Sequence, residues 1–174
     1  MLLTLFREFL QICLFRRGPQ DLPASTPLLV LCLLASVVGS IVIAATSLTL
    51  SMAVLSAVAE ALFMCMAVYL LLWARGHAAR WQQTVTAIAG TGVILILLAL
   101  PLLAWILAAE AQSAAAGLPI LLFYGIIIWN LMVLGHIFRH ALSTLLPLGI
   151  LAALVYYSAS VVFINWLIPI PAAN

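Results

Sequence analysis

Between Thr26 and Ile168 the chain holds five long apolar stretches, and no Arg or Lys falls inside any of them. About 20 such residues are what an α-helix needs to cross the hydrocarbon core of a bilayer. In hydrocarbon the backbone must satisfy its own hydrogen bonds, which leaves helices and closed barrels as the spanning structures. Composition agrees: 6% of the residues are charged, against about 25% in a soluble domain. A chain this poor in charge cannot cover its own surface in water. The fold class expected is all-α, a polytopic membrane protein with five transmembrane helices plus an N-terminal interfacial amphipathic helix.

The spans read as 26–46, 51–73, 82–109, 118–138 and 142–168. Ahead of them, "MLLTLFREFLQICLF" places Thr4, Arg7, Glu8 and Gln11 on one narrow helical stripe, with Leu, Phe and Ile almost everywhere else. The segment is too short to span and is expected to lie in the interface. Arg16 and Arg17 follow the apolar run, the reverse of the charge order in a secretory leader. Gly18, Pro19, Pro23 and Pro27 then break the helix and form a hinge in which Asp21 is expected to serve a turn. This gives a cytoplasmic interfacial helix and hinge over 1–25, a bundle over 26–168 and an outside tail over 169–174.

Five crossings place Arg7, Arg16, Arg17, Arg75, Arg80 and Arg139 on one side, which accounts for all six positive residues. The bias of Arg and Lys toward the cytoplasm then sets the N-terminus inside and the C-terminus outside. Trp73 and Trp81 fall beside the arginine-bearing connection, and Trp105 and Trp166 near the opposite ends of their spans, levels that amphipathic rings prefer. Pro101 and Pro147 are read as lying within spans, where each frees a backbone carbonyl.

One carboxylate interrupts the apolar pattern. Glu60 sits roughly 13 Å inside the second span at 1.5 Å per residue. With no Arg or Lys in any span it has no ion-pair partner, and desolvation favours the protonated acid. By residue counting, Ser56, Ser36, Ser40, Tyr124, Tyr157 and Ser158 lie at comparable depth, and Asn130 adds an amide in the fourth span. Ser36 and Ser40 share a helix face. Ala53, Ala57 and Ala61 make a small-residue face that allows close helix approach. Glu60 is then a proton or ligand site, a neutral hydrogen-bonding tie between helices, or a contact to a partner subunit.

Other constellations carry less. "HIFRH" puts His136 and His140 on one helical face with His77 on the same side, but Arg139 beside them disfavours a metal cation, so no metal is expected. Cys13, Cys32 and Cys65 form no C-x-x-C. "AGTG" at 89–92 lacks the preceding strand and following Lys of a phosphate loop. The sequence holds no H-E-x-x-H, no G-x-S-x-G and no paired carboxylates. A net charge of +2 gives no basis for nucleic-acid binding. Neither enzymatic activity nor a cofactor is expected.

The layout of a short N-terminal segment, a Pro/Gly hinge ("RRGPQDLP") and five closely spaced spans resembles bacterial members of the Yip1 family. So does the run "GIIIWNLMVLGHIFRHALSTLLPLGIL", an aliphatic helix with a central Trp, a short basic exit and an immediate return. The resemblance covers about residues 18 to 168. It implies a five-span, non-enzymatic protein of the bacterial inner membrane that works through partners or by shaping the bilayer. The function expected is a scaffold or small accessory subunit of a larger membrane complex, in contact with lipids and with other subunits or copies of itself. The alternative is a small proton-coupled transport or channel component using Glu60.

Overall fold

The computed structural model describes residues 2–112 and 116–168. The outside tail at 169–174 and part of the connection after Glu110 lie beyond the described residues. Six helices follow one another: α1 (Leu2–Cys13), α2 (Thr26–Ala44), α3 (Leu50–Ala74), α4 (Trp81–Ala111), α5 (Gly117–Ala141) and α6 (Leu146–Leu167). Single 3-10 turns at Pro19–Asp21 and Ala78–Arg80 precede α2 and α4. α2 to α6 are long and apolar enough to cross a membrane, and the chain is an all-α polytopic protein.

The largest departure from the sequence reading lies at the last turn. α5 runs on to Ala141, so Arg139 and His140 belong to its final turn, and the connection is Leu142–Leu145. The fifth span therefore begins at Leu146 rather than at 142, and Pro147 sits in its first turn. A proline there gives up an N–H that has no partner in the helix anyway, so Pro147 frees no carbonyl. Pro101 does lie inside α4.

The five spans close a ring: α2 packs on α3, α3 on α6, α6 on α5, α5 on α4, and α4 back on α2. Lipid tails are as apolar as Leu, so close contact has to come from small residues and good packing. α4 supplies both. From Thr84 to Thr91 every residue is buried, and Thr84, Thr86 and Thr91 hydrogen-bond carbonyls of their own helix, so their hydroxyls need nothing from a neighbour. α5 and α6 meet backbone to backbone where Gly149 lies against the carbonyl of Gly135 and the start of Arg139.

α1 docks on α4 and α5 by its apolar face. Phe9, Ile12 and Cys13 are buried, and the Phe9 ring fills the space a side chain at Gly90 would need. The Trp129 indole donates to the Cys13 carbonyl at 2.9 Å, and His136 Nε2 donates to the Arg17 carbonyl at 2.8 Å. Much of the greasy stripe is thus spent on protein, while Phe6, Leu14 and Phe15 stay exposed. The hinge packs too: Pro19 and Leu22 are buried, and Asp21 Oδ2 accepts the Gly18 N–H at 2.8 Å.

All three helices that finish at the arginine-bearing end stop the same way. The residues just past α1, α3 and α5, namely Phe15, Gly76 and Ser143, have φ of 61°, 70° and 51°. Each of these three N–H groups bonds three residues back, and the next N–H five back: Arg16 to Gln11, His77 to Leu72 and Thr144 to Arg139. This paired closure is the Schellman stop. Glycine takes that backbone freely, whereas Phe and Ser need local support. The Phe15 ring stands edge-on to His136 with centroids 5.4 Å apart. Ser143 Oγ accepts from Arg80 at 2.6 Å, and the same guanidinium nitrogen reaches the His140 and Ala141 carbonyls at 3.2 and 3.1 Å.

Two outcomes test this packing. Gly149→Val forces α5 and α6 apart and is expected to lower stability in detergent by about 1–3 kcal/mol. Gly92→Ala, where an added carbon meets nothing, is expected to be nearly neutral by the same thermal measurement. Burial pushes the Cys13 thiol up to about 11, and only the thiolate alkylates. In a Cys32→Ala, Cys65→Ala background its alkylation rate should therefore climb about tenfold per pH unit from pH 8 to pH 10. An ordinary thiol levels off near pH 9. Levelling off there would mean that α1 is not docked.

Candidate functional site

The ring is filled at one end and hollow at the other. At the arginine-bearing end Val68 and Leu72 of α3, Val85 of α4 and Val133, Ile137 and Phe138 of α5 are fully buried. There α3 and α4 also touch across the ring, the Trp81 indole donating to the Cys65 carbonyl at 2.8 Å. Toward the other end the helices enclose a cavity of about 490 Å³. Its floor is Met64, Ile88, Ala89 and Leu134, and its lining climbs through Ile43 and Ala44 to Leu48, in the connection between α2 and α3.

The walls are mostly apolar, with a few polar groups converging from four of the five spans. Glu60 and Ser56 come from α3, Ser36 and Ser40 from α2, Asn130 from α5, and Tyr156, Tyr157 and Ser160 from α6. Six of the eight residues expected from sequence are thus brought together. Tyr124 and Ser158 are not: Tyr124 is 60% exposed on the outer face of α5, and Ser158 is exposed on α6 and does not line the cavity. Residue counting fixes depth but not the rotation of a helix about its axis, and both fall on the wrong side. Tyr156 and Ser160 were missed. The signal was the run of small buried residues Gly149, Ala153 and Ser160, which marks the inward face of α6 and brings Tyr156 beside it.

Among the described residues nothing hydrogen-bonds the Glu60 carboxyl. Two of the serines expected to hold it are engaged on their own helices: Ser36 Oγ donates to the Leu33 carbonyl and Ser56 Oγ to the Ala53 carbonyl, both at 2.9 Å. Glu60 is open to the cavity rather than sealed between helices. Its hydrogen-bonding capacity is left directed at the void.

The interfacial arginines gather where α1, α3, α4 and α5 present their arginine-bearing ends. Arg17 pairs with Glu8, Arg80 caps α5 as described, and Arg75 lines an apolar groove between α3 and α6. Arg139 donates to His140 Nε2 at 3.1 Å, and His140 Nδ1 faces the Gln20 amide at 3.4 Å. Arg7 and Arg16 make no side-chain hydrogen bond among the described residues. His136 and His140 stack edge-on with centroids 4.7 Å apart; both His140 nitrogens face these neighbours, and His136 Nε2 is held by the Arg17 carbonyl. His77 keeps a buried Nδ1 with no partner among the described residues. No group of three or more His, Cys, Asp or Glu poised for a metal is found among the described residues.

No family model, no curated protein and no solved structure matches this chain.

The direction of the cavity gives a direct check. Ser40→Cys and Ser160→Cys are expected to react with a membrane-impermeant maleimide added on the side away from the arginines. Val68→Cys, in the packed end, should stay unlabelled from either side. Equal labelling of Ser40→Cys from the arginine side would mean the floor is open.

Proposed function

We propose that the protein is a non-catalytic transport component in which Glu60, facing the central cavity, takes up and releases a proton as a small amphipathic molecule is bound. The observation that carries this reading is the unpartnered carboxyl directed into a cavity of about 490 Å³. That volume lies in the range of small-molecule sites, which are mostly apolar with a few convergent polar groups. An ionisable group inside a membrane bundle, facing a void and lacking a counter-charge, is characteristic of substrate and proton paths. A structural tie between helices would need a partner for the carboxyl on another helix, and among the described residues none bonds it; Ser36 and Ser56 are bonded to their own backbones.

The arginine distribution supports a cytoplasmic arginine-bearing end, with the cavity facing outward. The N-terminus is then cytoplasmic and the C-terminus periplasmic in a bacterial inner membrane. The layout shared with Yip1-family proteins supports a non-enzymatic membrane role, and the absence of nucleophile, metal and paired-carboxylate motifs in the sequence agrees.

The test is flux. Purified protein in liposomes loaded with a pH-sensitive dye is expected to carry protons down an imposed gradient, and Glu60→Gln should reduce this at least about tenfold. Because the amide fits the same space, its thermal stability should change by no more than about 0.5 kcal/mol. If Glu60→Gln left flux untouched while Glu60→Leu disrupted assembly, the residue would be a structural tie and the protein a scaffold or accessory subunit.

A further inference from the structure

A second polar site lies at the arginine-bearing end, outside the ring. Gln20 of the hinge, Arg80 and Gln83 at the start of α4, Arg139 and His140 at the end of α5, and the turn residues Ser143 and Thr144 enclose a pocket of about 430 Å³. Its lining holds two guanidinium groups and no carboxylate. Among the described residues the one ion pair is between Arg17 and Glu8, so Arg80 and Arg139 have no acid. Asp21, on the neighbouring hinge turn, is turned to the Gly18 N–H. The α5 carbonyls that would repel an anion are covered, since Arg80 Nη1 is bonded to two of them. Its remaining N–H groups, and those of Arg139 not given to His140, are left for a ligand.

An apolar groove lies beside the pocket. Thr144 also lines a groove of about 400 Å³ formed by Phe63, Leu71 and Arg75 of α3 and by Leu148, Val155 and Ala159 of α6. From Leu148 to Ala159 the groove follows roughly 16 Å of helix. A cationic pocket with no carboxylate in its lining, although Asp21 lies near enough to act on His140, and an apolar groove that shares Thr144 with it and carries a third arginine are two halves of opposite character. A free anion would use the first half and leave the groove empty.

We propose that this paired pocket and groove bind an anionic phospholipid, with its phosphate and headgroup against Arg80 and Arg139 and an acyl chain lying between α3 and α6. Basic pockets between spanning helices recognise such headgroups by charge, and the groove supplies what separates a lipid from inorganic phosphate. The arginine pocket shares no lining residue with the Glu60 cavity, whereas Tyr156 lines both that cavity and the groove; the proposal does not rest on Glu60.

The test is native mass spectrometry of the full chain, purified free of phospholipid and titrated separately with phosphatidylglycerol, phosphatidylcholine and inorganic phosphate. Phosphatidylglycerol is expected to bind about tenfold more tightly than phosphatidylcholine. Arg139→Gln should lower the phosphatidylglycerol affinity about fivefold and leave phosphatidylcholine unchanged. Ala159→Trp, which fills the groove without touching charge, should weaken both lipids. Arg139 is chosen over Arg80 because Arg80 holds the end of α5, and a melting curve of each variant separates lost binding from lost fold. Equal binding of the two lipids would overturn the proposal, as would displacement of phosphatidylglycerol by equimolar inorganic phosphate. An Ala159→Trp variant that melts like the parent and binds phosphatidylglycerol as tightly would remove the groove from it.

Discussion

Close packing around α4 is the contact on which the rest of the molecule depends. Hydrocarbon solvates Leu as well as a protein interior does, so a helix in a bilayer gains little by burying large apolar residues. What holds spans together is the closeness that small side chains allow, provided no polar group is stranded. The segment Thr84–Thr91 meets both conditions, being buried throughout while its three threonines satisfy themselves on their own helix. Around it α2, α3 and α5 take their places, and Gly90 leaves room for Phe9 of α1. Where α4 turns from Thr, Ala and Gly to the bulkier "VILILLALPLLAW", Leu95, Ile96 and Ala99 line the cavity below Leu48.

The spans were legible in the sequence because hydropathy alone decides whether a segment can cross, and the ends of α2 to α5 fall within three residues of those expected. The start of α6 was not legible. Leu142 and Leu145 are as apolar as the helix that follows, so composition cannot mark the turn; the αL backbone of Ser143, held by Arg80, does. Glu60 and Ser56 were readable as a pair because one helix fixes their spacing. Their neighbours across the ring required the rotation of α5 and α6, which residue counting does not supply. Tyr124 and Tyr157 looked equivalent in sequence, and only Tyr157 lines the cavity.

Polar groups at the arginine-bearing end show how few charges a bundle needs when each does more than one thing. The bias toward one face requires only that the sign of the loops be right. Arg80 goes further: it closes α5, supports a non-glycine residue in a left-handed backbone, and joins the α3–α4 connection to the α5–α6 turn. Trp129 and His136 act in the same way on α1, each donating to a carbonyl at or beyond its C-terminus. Without those donors the freed carbonyls of α1 would face hydrocarbon unsatisfied, at a cost of several kcal/mol each by general estimates. An amphipathic segment that might have floated on the surface is thereby fixed to the bundle.

These two ends differ in what they leave unpaired. At the packed end the surplus is positive: guanidinium groups with no acid beside them, at the level where lipid phosphates lie. In the hollow half the surplus is a single carboxyl in a void, with the Ser36 and Ser56 hydroxyls turned to their own backbones. A chain selected only to fold would gain by cancelling both, since an apolar residue at Glu60 would relieve the desolvation of an acid in the bilayer. Retaining uncompensated charge at two separate positions, each opening onto a cavity of several hundred Å³, is the pattern of sites whose missing partner comes from outside the chain. As proposed, that partner comes from the bilayer in the filled half and from the solution in the hollow half.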